Sequence, residues 1–263
     1  MNFTKTVGHE KQKRLFLRAW GNGRLAHAYA LVGQEGIGKT AFAGELAQIL
    51  GADQVLDMFM IGEDEGGVSA QQARSLHAKL SLTPAGKCKV AIIKADGLTE
   101  EAANSLLKIL EEPPGHSYIF LTTANFYSLL PTIASRVQKI QFTRLLDEEM
   151  AGVFTEDILG LAQGRFGFAK RLTEDAEFLE FVRGCDARYQ ILEQGKFTER
   201  LQTAEKIAAL ETPEIIFFLR YSLERQASNL NIPALARKIY TAVSDLQYNV
   251  NVKLAMDNLF LPL

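Results

Sequence analysis

The chain has few cysteines, no excess charge of either sign and no long apolar run, and each shortage removes a class of protein. Its two cysteines, Cys88 and Cys185, stand far apart without Cys-x-x-Cys spacing. Neither a disulfide framework nor a zinc site is expected, and both read as buried free thiols. The 29 Lys and Arg against 31 Asp and Glu leave a formal charge of −2, which argues against coating nucleic acid by bulk electrostatics. Any DNA contact has to be local. No stretch approaches the roughly 18 apolar residues of a membrane helix. The start, MNFTKTVGHEKQKRLF, lacks the apolar core and cleavage site of a secretory signal, so a cytoplasmic chain with no membrane partner is expected. What is present is an ordinary globular composition, 47% hydrophobic and 23% charged, over 263 residues. That length suffices for a large core and for two or three domains.

Strand-like and helix-like segments alternate in the first 145 residues: HAYALVG, TAFAGELAQIL, KVAIIK, EEAANSLLKILEE and SYIFLTTA. This alternation predicts an α/β fold with a parallel sheet and flanking helices. Beyond about residue 145 the apolar positions turn helical in period, as in TPEIIFFLRYSLERQASNL, and an all-helical remainder is expected. The glycine-rich GEDEGG at 62–67 reads as a surface turn. One helix opens at Thr99 as N-cap, with Glu100 and Glu101 complementing its dipole, and stops before Pro113-Pro114. Ala103, Leu106, Leu107 and Leu110 form its predicted apolar stripe. A second helix is predicted over Ala70 to Leu80, with Ser69 and Gln72 spaced as a capping box. Trp20, Leu15, Phe16 and Ala19 read as a buried helical stripe.

GQEGIGKT, Gly33 to Thr40, satisfies G-x-x-x-x-G-K-[ST] between a predicted strand and a predicted helix, the context that pattern requires. Gly33, Gly36, Ile37, Gly38 and Ala41 belong to a backbone cradle whose N–H groups face a nucleotide phosphate. Lys39 adds a full charge, and Thr40 is the expected Mg²⁺ ligand. ATP or ADP is therefore an expected ligand. Hydrolysis needs more, namely an acid at the end of a neighbouring strand and usually a glutamate beside it. The strand VAII ends instead in Lys94-Ala95-Asp96, followed by Gly97.

Taken together, the stretch HEKQKRLFLRAWGNGRLAHAYALVG, the phosphate loop, KVAIIKADGLTEEAANSLLKILEEPP and LLPTIASRVQKIQF resemble the bacterial clamp-loader AAA+ family over residues 8–142. NVKLAMDNLFL, near the other end, resembles that family's last collar helix. The resemblance implies an AAA+ domain over 1–145, a small helical lid over 146–174 and a helical collar for oligomerisation over 175–263. Motors of the family end the strand with an Asp-Glu-Ala-Asp type run. Anchoring on Thr99 puts Ile93 at the metal-binding aspartate and Lys94 at the glutamate, whereas anchoring on the strand puts Lys94 at the aspartate. Both registers remain open, and neither leaves an essential acid in place. The lid arginine of the motors corresponds to Gly167 in GRFGFA, with Arg165 and Arg171 nearby. Thr123 and Asn125 in TTAN are both candidates for the γ-phosphate sensor. Arg136, in Ser135-Arg136-Val137, matches the arginine finger that reaches an adjacent subunit. Residues 51–68 lack the four cysteines of the family's zinc module, so no zinc is expected. The segment at Val7 and Gly8 would line the adenine.

The resemblance thus implies a clamp-loader subunit that binds nucleotide without cleaving it. Such a subunit lends Arg136 to a motor subunit, sits beside motor and wrench subunits, and helps load a sliding clamp on primed DNA. A motor with its own turnover through Asp96, and a small-molecule P-loop kinase, are the alternatives. His9, His27, His77 and His116 read as structural. The basic clusters Lys11, Lys13, Arg14, Arg18 and Arg165, Lys170, Arg171 read as solvated faces, with contact to a DNA backbone as the other reading.

Overall fold

Five strands form one parallel sheet in the order β2-β3-β4-β1-β5. They are β1 (Ala28–Val32), β2 (Met58–Ile61), β3 (Lys89–Lys94), β4 (Ser117–Thr123) and β5 (Gln138–Gln141). The computed structural model describes residues 3–62, 67–228, 233–247 and 251–261. Of GEDEGG, residues 63–66 lie outside these. Two compact units divide the chain, Met1–Lys170 and Arg171–Leu263.

The first unit contains α1 (Glu10–Gly21), α2 (Lys39–Leu50), α3 (Ala70–Leu80), α4 (Glu100–Glu111), α5 (Pro131–Ala134), α6 (Asp147–Met150) and α7 (Glu156–Ala162). Helix α8 (Phe166–Glu174) crosses the division. Because a parallel sheet is covered on both faces, its central strands are apolar throughout, and all five residues of β1 are buried. Alternation then sorts them. Ala28, Ala30 and Val32 join Ala91, Ile93, Ile119 and Leu121 in a core with residues of α3 and α4. Tyr29 and Leu31 join Val90, Ile92 and Phe120 in a core with Phe16 of α1 and Phe42 and Leu46 of α2.

The expected ends of α3 and α4 are present. Ser69 and Gln72 form the capping box of α3. The Thr99 side chain accepts from the Ala102 N–H at 3.2 Å to cap α4. The buried stripe of α4 is Ala102, Ala103, Leu106, Ile109 and Leu110, with Leu107 at its margin. The stripe is thus broader than predicted and turned toward Ile109.

The reading of α1 needs correction. Phe16 is fully buried, but Leu15 is 43% and Trp20 37% exposed. The inward face of α1 is Gln12, Lys13 and Phe16. Gln12 Nε2 donates to the Gln141 carbonyl at 2.6 Å and Lys13 Nζ to the Thr6 carbonyl at 2.7 Å. These polar anchors rotate Leu15 and Trp20 outward. Strands β2 and β5 were also not foreseen. Each is a four-residue edge strand: β5 buries only Ile140, and β2, although its MFMI is apolar, is short and only half-buried.

Two buried carboxylates anchor this unit. Glu45 on α2 accepts from the backbone N–H groups of Thr4, Lys5 and Thr6, while Phe3 stacks on Phe42. The segment before α1 is thereby fixed to the helix that follows the phosphate loop. Asp57 accepts from the N–H groups of Ala85, Gly86 and Asp53 and pairs with Lys89 Nζ at 3.1 Å. Burial alone would raise its pKa, but these hydrogen bonds hold it down to about 2.

The second unit contains α9 (Ala176–Gln194), α10 (Phe197–Ala208), α11 (Thr212–Ser228), α12 (Pro233–Gln247) and α13 (Val252–Phe260). Among the described residues it has no strand. A polar cluster sits between α9 and α11. Asp186 accepts from the Tyr221 hydroxyl at 2.7 Å and pairs with Arg225 at 2.5 Å, and the Tyr189 hydroxyl donates to Gln226 at 2.8 Å.

Candidate functional site

The site lies at the carboxyl ends of β1, β3 and β4, where open parallel sheets hold ligands. Gly33 follows β1, and the loop reaches α2 through Gly36 and Gly38 at φ +76° and +106°, values that an L side chain rarely adopts. Lys39, 7% exposed, begins α2 and donates to the carbonyls of Gly33 at 2.5 Å and Gln34 at 2.8 Å. Burial lowers its pKa, against the carboxylates of Asp96 and Glu35, which raise it.

Three contacts hold this loop that the sequence did not reveal. The His9 ring, buried against Phe142, lies 3.0 Å from the Ile37 carbonyl through Nε2. Since a carbonyl only accepts, Nε2 carries the hydrogen. Arg144 Nε donates to the Gln34 side chain at 2.6 Å. The Phe168 N–H donates to the Gly36 carbonyl at 3.0 Å. Gly167, which the resemblance would match to a lid arginine, packs against the same carbonyl. A Cβ on Gly167 would lie 2.9 Å from the Gly36 oxygen.

Beside the loop opens a cavity of about 390 Å³ lined by Glu35, Gly36, Gly38, Lys39, Thr40 and Ala41 of the loop and α2. Met60, Ile61, Ile92, Lys94, Asp96, Thr122 and Gly167 complete it. Strand alternation decides which residues face it. Lys94 shares parity with Ile92 and lines the cavity, whereas Ile93 is 1% exposed in the core beneath α4. The residue at the cavity end of β3 is therefore a lysine. Its Nζ lies 3.4 Å from Glu35 Oε1, with both side chains well exposed.

Asp96 is committed elsewhere. Its carboxylate accepts from the Thr123 hydroxyl at 2.8 Å and the Ala124 N–H at 2.9 Å. Thr123 is fully buried, and the Asn125 side chain accepts from the Tyr127 N–H at 3.0 Å. Neither lines the cavity, whereas Thr122, paired with Lys94 across β3 and β4, does. Mg²⁺ would find the Thr40 hydroxyl, an ammonium at the end of β3, the Asp96 carboxylate already hydrogen-bonded and the exposed Glu35 carboxylate paired with that ammonium, a donor set that fits it poorly. The loop itself fits a phosphate chain. Among the described residues no group of three or more His, Cys, Asp or Glu is placed to hold a metal.

Arg136 lies outside this cavity. It is 34% exposed and pairs with Glu111 of α4 at 2.6 Å, while Nη1 donates to the Thr132 carbonyl at 2.7 Å. Arg136 thus has a local carboxylate partner, and the guanidinium still reaches solvent. The basic clusters are not free faces throughout. Lys13 is buried, and Arg165, 4% exposed, stacks on Phe168 and donates to the Ala162 carbonyl. Arg171 stacks on Phe178. Gly8 adopts φ +65° and packs on Leu145. His27 Nε2 lies 3.0 Å from the Leu110 carbonyl, a structural tie between β1 and α4. Both cysteines are buried, and burial pushes each thiol up to about 11. No helix among the described residues is long and apolar enough to cross a membrane.

A family model described as DNA polymerase III, delta subunit matches residues 52–146. The delta' subunit of DNA polymerase III from Pseudomonas aeruginosa is 32% identical over 149 residues, 48% of this chain and 45% of that one. The Bacillus subtilis delta' subunit is 29% identical over 203 residues, 66% of this chain and 61% of that one. The gamma/tau subunit of Mycoplasma pneumoniae is 29% identical over 168 residues, 56% of this chain and 24% of that one. The chain therefore spans between about a quarter and three fifths of these relatives. Among solved structures, a gamma subunit-related protein of DNA polymerase III from Thermotoga maritima superposes with a TM-score of 0.56 at 18% identity, covering 95% of this chain and 96% of that one. The fold is that of the AAA+ proteins, with a helical C-terminal part.

Proposed function

We propose that this chain, similar over part of its length to the delta' and gamma/tau subunits of DNA polymerase III, acts as a delta'-like clamp-loader stator. In this reading it holds ATP or ADP at Gly33 to Thr40 without cleaving it and lends Arg136 to the ATP site of a neighbouring motor. The assembly, with gamma/tau-like motors and a delta-like wrench, loads a sliding clamp on primed DNA in the cytoplasm. An AAA+ domain over 1–145, a lid over 146–174 and a collar over 175–263 are the parts proposed for it.

The carrying observation is the disposition of charge at the chain's own site. The phosphate loop is intact, but Lys94 stands at the cavity end of β3 and Asp96 is held by Thr123 and Ala124. The cavity's other carboxylate, Glu35, is an exposed loop residue paired with Lys94, so no acid stands at the end of β3 to organise an attacking water. Arg136 lies away from this cavity with its guanidinium in reach of solvent. An arginine finger of this kind stabilises charge on a transferring phosphoryl group in trans.

The test is primed-DNA-stimulated ATP turnover by the reconstituted assembly, with wild type and Arg136→Ala compared. Turnover that requires Arg136 supports the stator, and equal turnover from both removes it. The gamma/tau relatives favour a second reading, a motor working through Asp96. That reading requires turnover by the purified chain alone, lost in Asp96→Ala.

A further inference from the structure

The unfitness of the cavity for Mg²⁺ has a positive counterpart. We propose that the site binds the polyphosphate chain of a nucleotide without a metal ion, with the Lys94 ammonium supplying the charge that Mg²⁺ would otherwise bring. This rests on the reading that the loop from Gly33 to Thr40 holds nucleotide.

Three observations carry it. First, two lysines from different elements, Lys39 at the start of α2 and Lys94 at the end of β3, line one cavity together with Thr40. Burial lowers the pKa of Lys39 and the charge of Lys94 adds to this, against Asp96 and Glu35, which raise it. Two cations in one cavity beside a phosphate loop favour an anion, and a phosphate chain with several negative oxygens is the ligand that loop geometry selects.

Second, the two carboxylates that line the cavity offset the lysines only in part, since Asp96 is shared with two other donors and Glu35 is an exposed loop residue. Asp96 Oδ1 already accepts from the Thr123 hydroxyl and the Ala124 N–H. The Glu35 contact to Lys94 is 3.4 Å long between side chains 74% and 45% exposed, the kind of surface pair that contributes little. A bound phosphate displaces it readily, since the stem of Lys94 swings while its backbone stays in the sheet beside Thr122.

Third, a divalent cation at Thr40 would meet the Lys94 ammonium in the space where it expects an oxygen. The Thr40 hydroxyl shares the cavity with that cation, and the cavity's carboxylates, Asp96 and Glu35, are engaged with other donors, a poor set for an ion that demands near-octahedral oxygen ligands. Metal-free binding also accords with absent hydrolysis, because the ion that would bridge the β- and γ-oxygens is not recruited.

The experiment is an equilibrium titration of the full chain with a fluorescent ATP analogue, in Mg²⁺ and in excess EDTA. Wild type, Lys94→Ala and Lys39→Ala are compared, and an unchanged circular dichroism spectrum and melting midpoint certify each fold. The expected result is a wild-type affinity that changes by less than about fivefold on removing Mg²⁺. Lys94→Ala in EDTA is expected to bind at least about tenfold more weakly, the worth of one charge-assisted hydrogen bond. A larger fall of wild-type affinity in EDTA, or a smaller effect of Lys94→Ala, overturns the inference while leaving nucleotide binding in place. Absence of binding by the wild type in both conditions, or binding undiminished in Lys39→Ala, overturns the inference together with the reading of the loop.

Discussion

Arg136 and Glu111 form an ion pair at 2.6 Å, and the guanidinium is held from its other side by the Thr132 carbonyl and the Ser135 hydroxyl. The backbone and hydroxyl contacts orient the fork, whereas the carboxylate competes with any phosphate for its charge. Arg136→Ala is expected to lower motor turnover in the assembly by roughly a thousandfold or more, as loss of an arginine finger does. Glu111→Gln removes the competitor and keeps the fork. Because an exposed pair is worth about 1 kcal/mol or less, the expected change is a rise of at most about fivefold. A loss of activity in Glu111→Gln would assign Glu111 to positioning Arg136 rather than competing for it.

Glu45 predicts an acid limb to stability. Burial alone would raise its pKa, but hydrogen bonds from Thr6, Lys5 and Thr4 overcome this and hold it at about 2, below its ordinary 4.5. A carboxylate depressed on folding contributes stability that is complete above its unfolded pKa and disappears as pH falls through the folded one. The contribution should therefore be whole at neutral pH and fade between about pH 4.5 and pH 2. Glu45→Gln should cost about 1–3 kcal/mol at neutral pH and converge with wild type near the acid end. Denaturant midpoints across that range measure it, and a gap that does not narrow would refute the account.

What the sequence revealed was local chemistry. The phosphate loop, the Thr99 cap, and the Ser69 and Gln72 box are each complete within a few residues, so their patterns are readable without the fold. What it hid depends on strands brought together. Which of Ile93 and Lys94 faces the cavity is decided by sheet parity, and Thr122 displaces Thr123 at the lining for the same reason. Glu45 and Glu111 find their partners far along the chain. Trp20 misled because Gln12 and Lys13, polar residues, occupy the inward face of α1 through their side-chain hydrogen bonds.

Gly167 predicts that restoring the motors' arginine will not restore a motor. The Cβ of any side chain there meets the Gly36 carbonyl at 2.9 Å, and the obstacle is backbone, which cannot swing aside. Gly167→Ala should cost about 1–3 kcal/mol through this overlap and weaken nucleotide binding by disturbing the loop. Gly167→Arg should do the same and yield no ATP turnover by the chain alone. Turnover in Gly167→Arg would mean that the close approach yields and that the missing arginine was the only defect.

In the second unit, Asp186 joins Tyr221 and Arg225 of α11 to α9. Removing one member of such a pair leaves its partners without that acceptor, so Asp186→Ala should destabilise the chain by about 2–4 kcal/mol. Tyr221→Phe, which deletes one hydrogen bond and no charge, should cost about 1 kcal/mol. Equilibrium denaturation of the full chain, followed by far-ultraviolet circular dichroism, separates the two. Equal costs would place the energy in packing rather than in the charge.

Asp96 gives the sharpest separation between a stator and a motor, because its two possible duties leave different traces. As a structural acceptor it receives the Thr123 hydroxyl and the Ala124 N–H and ties the turn after β3 to the end of β4. Asp96→Asn keeps one carbonyl oxygen for these donors and should cost less than Asp96→Ala, which should cost about 1–3 kcal/mol. Neither change should alter turnover in the reconstituted assembly once the folded fraction is accounted for, since the motor's chemistry is assisted by Arg136. A working catalytic acid behaves in the opposite way. Asp96→Asn would then abolish turnover by the chain alone while scarcely moving its melting point, and the stator reading would fall with it.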